Sequence, residues 1–158
     1  MQIQNIVVYV LAAMLISNAV VYLTVASQEY GDLIELQQIG IDGETHEKQL
    51  EISVFVGASI IYLGLVVWVL KSRLKNKNPY LVSAVFSIVM IGIYIASRTV
   101  GVPVVGVEYY VGKLDIISKI LQAAIIGLAG YLIFSIRNIC IREQNIANNR
   151  NRRRRDLR

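Results

Sequence analysis

The chain is poor in the residues from which most reactive or covalently braced sites are built. One cysteine, one histidine and two prolines occur among 158 residues. A lone Cys140 excludes a disulfide within the chain, and a lone His46 excludes a multi-histidine metal site in a single copy. Of the three methionines only Met14 and Met90 fall in apolar stretches, which gives no methionine-rich copper site. No glycine-rich phosphate loop, paired-cysteine metal motif or nucleophile elbow is present, so no cofactor is expected. Charge is scarce as well: 17% of residues are charged and 55% are hydrophobic, too apolar for a soluble domain of this length.

What remains is long apolar runs. Crossing the hydrocarbon takes about 20 mostly apolar residues. Four stretches meet that length, at about 6–26, 52–70, 80–96 and 116–136, and only the last holds a charge, Lys119. They are rich in β-branched residues but do not alternate as barrel strands must. The expectation is an all-α, four-helix transmembrane bundle. The first stretch ends in Val25-Ala26-Ser27, which would suit signal peptidase, but Met1 to Asn5 lacks a cation and the apolar run exceeds a signal h-region. It is read as a retained span.

The charges are segregated. Lys71 to Lys77 contributes four cations and no acid, and the segment from Arg137 onward has eight arginines against Glu143 and Asp156. Cations beside spans are held in the cytoplasm, which places that loop and both termini inside. The opposite side then receives residues 27–51, with seven acids against Lys48, and the connection 97–115. Within the first of these, Tyr30 to Ile41 reads as a short amphipathic helix ended by Gly40 and Asp42-Gly43. Tyr30, Tyr80, Tyr109 and Tyr110 fit interfacial belts. The tail 137–158, with Asn145, Asn148, Asn149 and Asn151 among its arginines, reads as disordered, and Arg152, Arg153, Arg154 and Arg155 as a patch for anionic headgroups. No aromatic platform supports nucleic-acid binding. Cys140, just beyond the last span, is expected as an unmodified thiol rather than a palmitoylated one.

The connection 97–115 is the most informative segment. Gly101, Pro103, Gly106 and Gly112 permit a compact bend, and its valines imply packing against the bundle. Arg98, Glu108 and Asp115 would converge there with Glu51 and His46 at the start of the second span. One reading is an outward-facing site for a metal or small polar ligand, with His46 and Glu51 as ligands; the other is a structural cluster in which Arg98 clamps carboxylates and carbonyls. Lys119 shares a helix face with Asp115, four residues before it, and a structural pair is expected rather than an ion relay. Small residues four apart, Ala13 and Ser17, Ser53 and Gly57, Ser83 and Ser87, Ala123 and Gly127, allow close helix contact within the chain or between subunits.

Arg98 closing a span, then Gly101-Val102-Pro103, Glu108, Gly112 and Asp115, with His46 and Glu51 opening an earlier span, resembles small uncharacterised four-helix membrane proteins of archaea and bacteria. Ser118-Lys119-Ile120-Leu121-Gln122 is most similar to members from ammonia-oxidising archaea. The resemblance covers about Glu44 to Arg137 and brings no catalytic residues with it. It implies an accessory subunit of a membrane metalloenzyme such as archaeal ammonia monooxygenase. From the residues alone the leading expectation is a non-catalytic membrane protein with membrane-protein partners or a homo-oligomer. The rivals are a small transporter or sensor and a holin-like pore former.

Overall fold

A computed structural model of the protein describes residues 2–39, 42–99 and 112–156. They form four long helices and one 3-10 turn: α1 (Gln2–Ile39), α2 (Asp42–Ser72), the turn Arg73–Lys75, α3 (Asn78–Thr99) and α4 (Lys113–Asp156). No strand occurs among the described residues. All four helices are long and apolar enough to cross a membrane, which makes this a multi-pass membrane protein with a four-helix bundle. In their most apolar windows only 22–39% of residues are buried inside the bundle, so most of the apolar surface faces outward, as hydrocarbon requires.

The inward face of every helix follows one rule. In α1 it is Val8, Ala12, Leu15, Ala19, Tyr22, Ala26, Glu29, Leu33 and Leu36; in α2 Lys48, Glu51, Phe55, Ala58, Tyr62, Leu65 and Val69. In α3 it is Tyr80, Ser83, Ser87, Met90, Tyr94 and Ser97; in α4 Asp115, Ser118, Gln122, Ile125, Ala129, Leu132 and Ile136. All are buried or half-buried, and the spacing alternates between three and four residues throughout. That averages to a 3.5-residue period, the repeat of left-handed coiled coils and of most transmembrane bundles. Small and polar residues share these positions with large ones, which lets the backbones approach.

Three sequence expectations change. Residues 27–51 do not form a loop with a separate amphipathic helix: α1 continues unbroken through Tyr30 to Ile39, and α2 begins at Asp42. The repeat explains this, because Ala26, Glu29, Leu33 and Leu36 keep the α1 seam in phase against α2, and Gly31 is exposed and costs only helix propensity. At 1.5 Å per residue the 38 residues of α1 span about 57 Å, well beyond the hydrocarbon. Second, α4 runs on to Asp156, so the backbone of the tail expected to be disordered is helical; no glycine or proline follows Gly130 to stop it. Third, Tyr80 is no belt residue. It is fully buried, and its hydroxyl donates to the Arg73 carbonyl.

That bond pins the turn between α2 and α3, where Arg73 holds a positive φ of 43°. A side chain in left-handed geometry costs roughly 1–2 kcal/mol, which glycine avoids. Arg73→Gly keeps the carbonyl that Tyr80 uses, and is expected to raise the unfolding free energy by about 1 kcal/mol after glycine's greater unfolded-state entropy is counted. An SDS unfolding titration of both forms measures this.

Candidate functional site

Two polar assemblies lie within the bundle. The first is a rung in the middle of the spans to which each helix contributes one side chain: Tyr22 of α1, Tyr62 of α2, Ser87 of α3 and Gln122 of α4. Gln122 Nε2 donates to the Tyr22 hydroxyl at 2.8 Å and to the Tyr62 hydroxyl at 3.2 Å, and the Tyr62 and Ser87 oxygens lie 3.5 Å apart. Beside it Ser118 Oγ donates to Asn18 Oδ1 at 3.1 Å, and Ser59 Oγ donates to the Ala19 carbonyl at 3.1 Å. Tyr22 stacks on Tyr62 and on Phe55, and Tyr62 meets Phe86 edge-on at 5.0 Å between centroids. Asn18, Tyr62, Ser87 and Gln122 are fully buried, where hydroxyl and amide groups lack water and must find each other. The amide nitrogen of Asn18 is buried without an acceptor, the one loose end of the rung among the described residues.

The second assembly lies nearer the ends of the spans that carry Arg98 and Asp115. Arg98, in the last turn of α3, places Nη2 3.1 Å from Asp115 Oδ2 at the start of α4, and the same oxygen accepts the Gly112 N–H at 3.2 Å. Asp115 is thus the third residue of α4 reaching back to the residue before it, half of a capping box. Glu51 accepts from Lys48 at 3.2 Å, and Lys48 also pairs with Glu29, tying the α1–α2 extension together. Lys119 donates to Gln122 Oε1 at 3.3 Å and lies 4.6 Å from the centroid of the Tyr94 ring. Arg98 approaches that ring at 5.2 Å, so two cations share one aromatic side chain.

Between these assemblies is an open cavity of about 390 Å³, to which all four helices contribute. Its walls are mostly apolar, aliphatic and aromatic together, its floor includes Tyr22 and Ser118, and its charged lining is Glu51, Arg98, Asp115 and Lys119. Pockets for small molecules fall in the range of about 300–1,000 Å³ and combine apolar walls with a few polar groups.

Of the residues singled out in the sequence, the structure therefore brings Glu51, Arg98 and Asp115 to one cavity and adds Lys119 to it. Lys119 pairs with Gln122 rather than with Asp115, whose carboxylate is taken by Arg98 and Gly112. His46 is exposed and does not line the cavity. No group of three histidine, cysteine or acidic side chains gathers at metal-binding distance among the described residues. Gly101, Pro103, Gly106 and Glu108, with Tyr109 and Tyr110, lie outside the described residues, as do the side chains of Arg152 to Arg155. The mid-span rung is the part sequence reading missed. Its signal was the placement of Tyr22, Tyr62, Ser87, Ser118 and Gln122 on inward positions of a 3.5-residue repeat, with Asn18 beside the α1 series.

A last feature is on the outside. On α4, Ala123, Gly127 and Gly130 are exposed and form a notch flanked by Ile120, Tyr131 and Phe134, which are 64%, 48% and 64% exposed. A Cβ added at Gly127 or Gly130 would meet nothing within 4 Å, and the same holds for Gly57 and Gly64 of α2 and Gly92 of α3. Packing inside this bundle does not require any of these five to be glycine. No protein family, curated protein or solved structure matches the chain.

Proposed function

We propose that this membrane protein is a non-catalytic accessory or scaffold subunit that packs against other transmembrane helices, through the α4 notch above all. The outward glycines carry the reading. Glycine in a helix interior costs up to about 1 kcal/mol relative to alanine, and here no contact inside the chain repays it. Close approach of a partner helix would, since small residues flanked by larger ones are how transmembrane helices meet without a hydrophobic driving force between them. The resemblance makes a membrane metalloenzyme the first complex to look for. Both termini and the arginine tail are placed on the cytoplasmic side of the plasma membrane, with the α1–α2 extension on the other side, following the bias of lysine and arginine.

Native purification in mild detergent followed by intact mass analysis tests this. The expected result is a stable association with another membrane protein or a second copy, weakened about tenfold by Gly127→Leu with Gly130→Leu, while the isolated chain becomes no less stable. Recovery only as a free monomer before any substitution overturns it.

The cavity favours a second reading, a sensor or carrier for a small molecule. Its observation is the volume of about 390 Å³ bounded by all four helices and lined by four charged side chains.

A further inference from the structure

The charges around the cavity are unevenly paired. Arg98 is in ion-pair contact with Asp115, and Glu51 shares Lys48 with Glu29. Lys119 has no carboxylate in ion-pair contact among the described residues; its ammonium is held by a neutral amide oxygen and the face of Tyr94. An ammonium within a span is costly unless something anionic or wet completes its shell. Lys119 lines a cavity whose walls are mostly apolar, with Tyr94 and Asp115 in the same lining, and that cavity is open.

The mouth can be located from exposure. The lining residues that remain exposed are on α2 and α3: Leu50 at 42%, Val54 at 55% and Ile93 at 46%. Tyr22 of α1 and Ser118 of α4, by contrast, are buried at the back. Of the neighbouring helices, α2 and α3 touch least. Their described side-chain contacts, Tyr62 with Phe86 and with Ser87, lie deeper than the cavity. The opening is therefore a lateral gap between α2 and α3, on the flank of the bundle.

We propose that this gap admits a single-chain amphiphile with a carboxylate head, of the long-chain fatty acid class, whose head pairs with Lys119 while its chain lies past Val54 and Ile93 into the bilayer. The inference rests on the second reading above and names its ligand. Each part of the ligand answers one observation. A lateral entrance suits a molecule already dissolved in the membrane, apolar walls suit an alkyl chain, and an ammonium with no carboxylate in ion-pair contact suits one negative charge. The Tyr22 hydroxyl at the back accepts from Gln122 and keeps its own proton to donate to a carboxylate. Because the chain leaves through the gap, the head determines affinity and chain length does not.

The test uses the full-length protein in phosphatidylcholine nanodiscs with radiolabelled palmitate as probe, and hexadecanol, hexadecylamine and hexadecyl phosphate as competitors. Palmitate is expected to bind saturably and to be displaced about tenfold less well by the alcohol and the amine. Lys119→Gln should weaken palmitate binding about tenfold and Lys119→Arg should largely retain it. Ile93→Trp, at a partly lipid-exposed position where the fold tolerates bulk, should block the gap and reduce binding to a similar extent, which separates loss of the site from loss of the fold. Palmitate binding that is equal in Lys119→Gln and the unmodified protein overturns the proposal. Equal displacement by hexadecanol overturns the carboxylate assignment while leaving the cavity reading in place, and stronger displacement by hexadecyl phosphate transfers the assignment to a phosphate head. No saturable binding of any of the four overturns both the ligand and the cavity reading, and leaves the partner reading to its own test.

Discussion

Gln122→Leu is expected to lower the unfolding free energy by about 2–4 kcal/mol. The substitution keeps apolar volume and helix propensity nearly constant, so it isolates the hydrogen bonds. Two interhelical bonds end, to Tyr22 and Tyr62, and bonds of that kind between membrane helices average about 0.6 kcal/mol each with a maximum near 1.7. The greater part of the loss comes from what remains. The Tyr22 hydroxyl loses the Gln122 donor, the Tyr62 hydroxyl keeps Ser87 at 3.5 Å, and a buried polar group left without a partner costs roughly 1–3 kcal/mol. Lys119 loses the amide oxygen it donates to as well. Steric-trap or SDS unfolding of Gln122→Leu beside Ile120→Leu, at a position 64% exposed to lipid, provides the comparison. If the two variants unfold alike, the rung contributes nothing and the bundle is held by packing alone.

A second large effect is expected where α3 hands over to α4. The Arg98 and Asp115 side chains are 15% and 31% exposed, so the pair is neither fully screened nor fully desolvated. Arg98→Met leaves Asp115 a carboxylate whose other described donor is the Gly112 N–H, and Asp115→Asn leaves a guanidinium near a half-buried ring. Each single change is expected to cost about 1–3 kcal/mol, and the double variant clearly less than the total of the two, with a coupling of about 1 kcal/mol or more. Additive losses in this double-mutant cycle would mean that the two side chains act separately and that the contact is incidental.

The number of helices and the position of the apolar core of each were legible in the sequence, though not where the helices end, because hydrocarbon imposes a length and a polarity that no other environment does. Ile6 to Ala26 and Ile52 to Leu70 are uncharged for that reason, and the structure has helices through both. The convergence of Arg98, Asp115 and Glu51 was legible from topology alone, since three span ends at one depth must lie near one another. What stayed hidden was which side of each helix faces in. In water an apolar stripe answers that question, but here nearly every residue is apolar and the informative positions are the polar and small ones. Ser83 and Ser87 were noticed as a close-packing pair and are indeed fully buried, whereas Ala123 and Gly127, chosen by the same spacing, face outward. The continuation of α1 past the membrane was missed because acids and glutamines resemble a loop when composition is read without phase. Ala26, Glu29, Leu33 and Leu36 kept the phase throughout.

The bundle's two overhangs project in opposite directions: α1 with α2 beyond the Arg98 end, and α4 beyond the Arg73 end. Yet α1 and α4 are laced to each other along their shared length, by Gln4 to Ser135, Asn18 to Ser118, and Tyr22 to Gln122. Such lacing acts like the teeth of a gear. Sliding of α1 past α4 by a single residue would unseat all three bonds at once, so the register of these two helices is held at three heights rather than one.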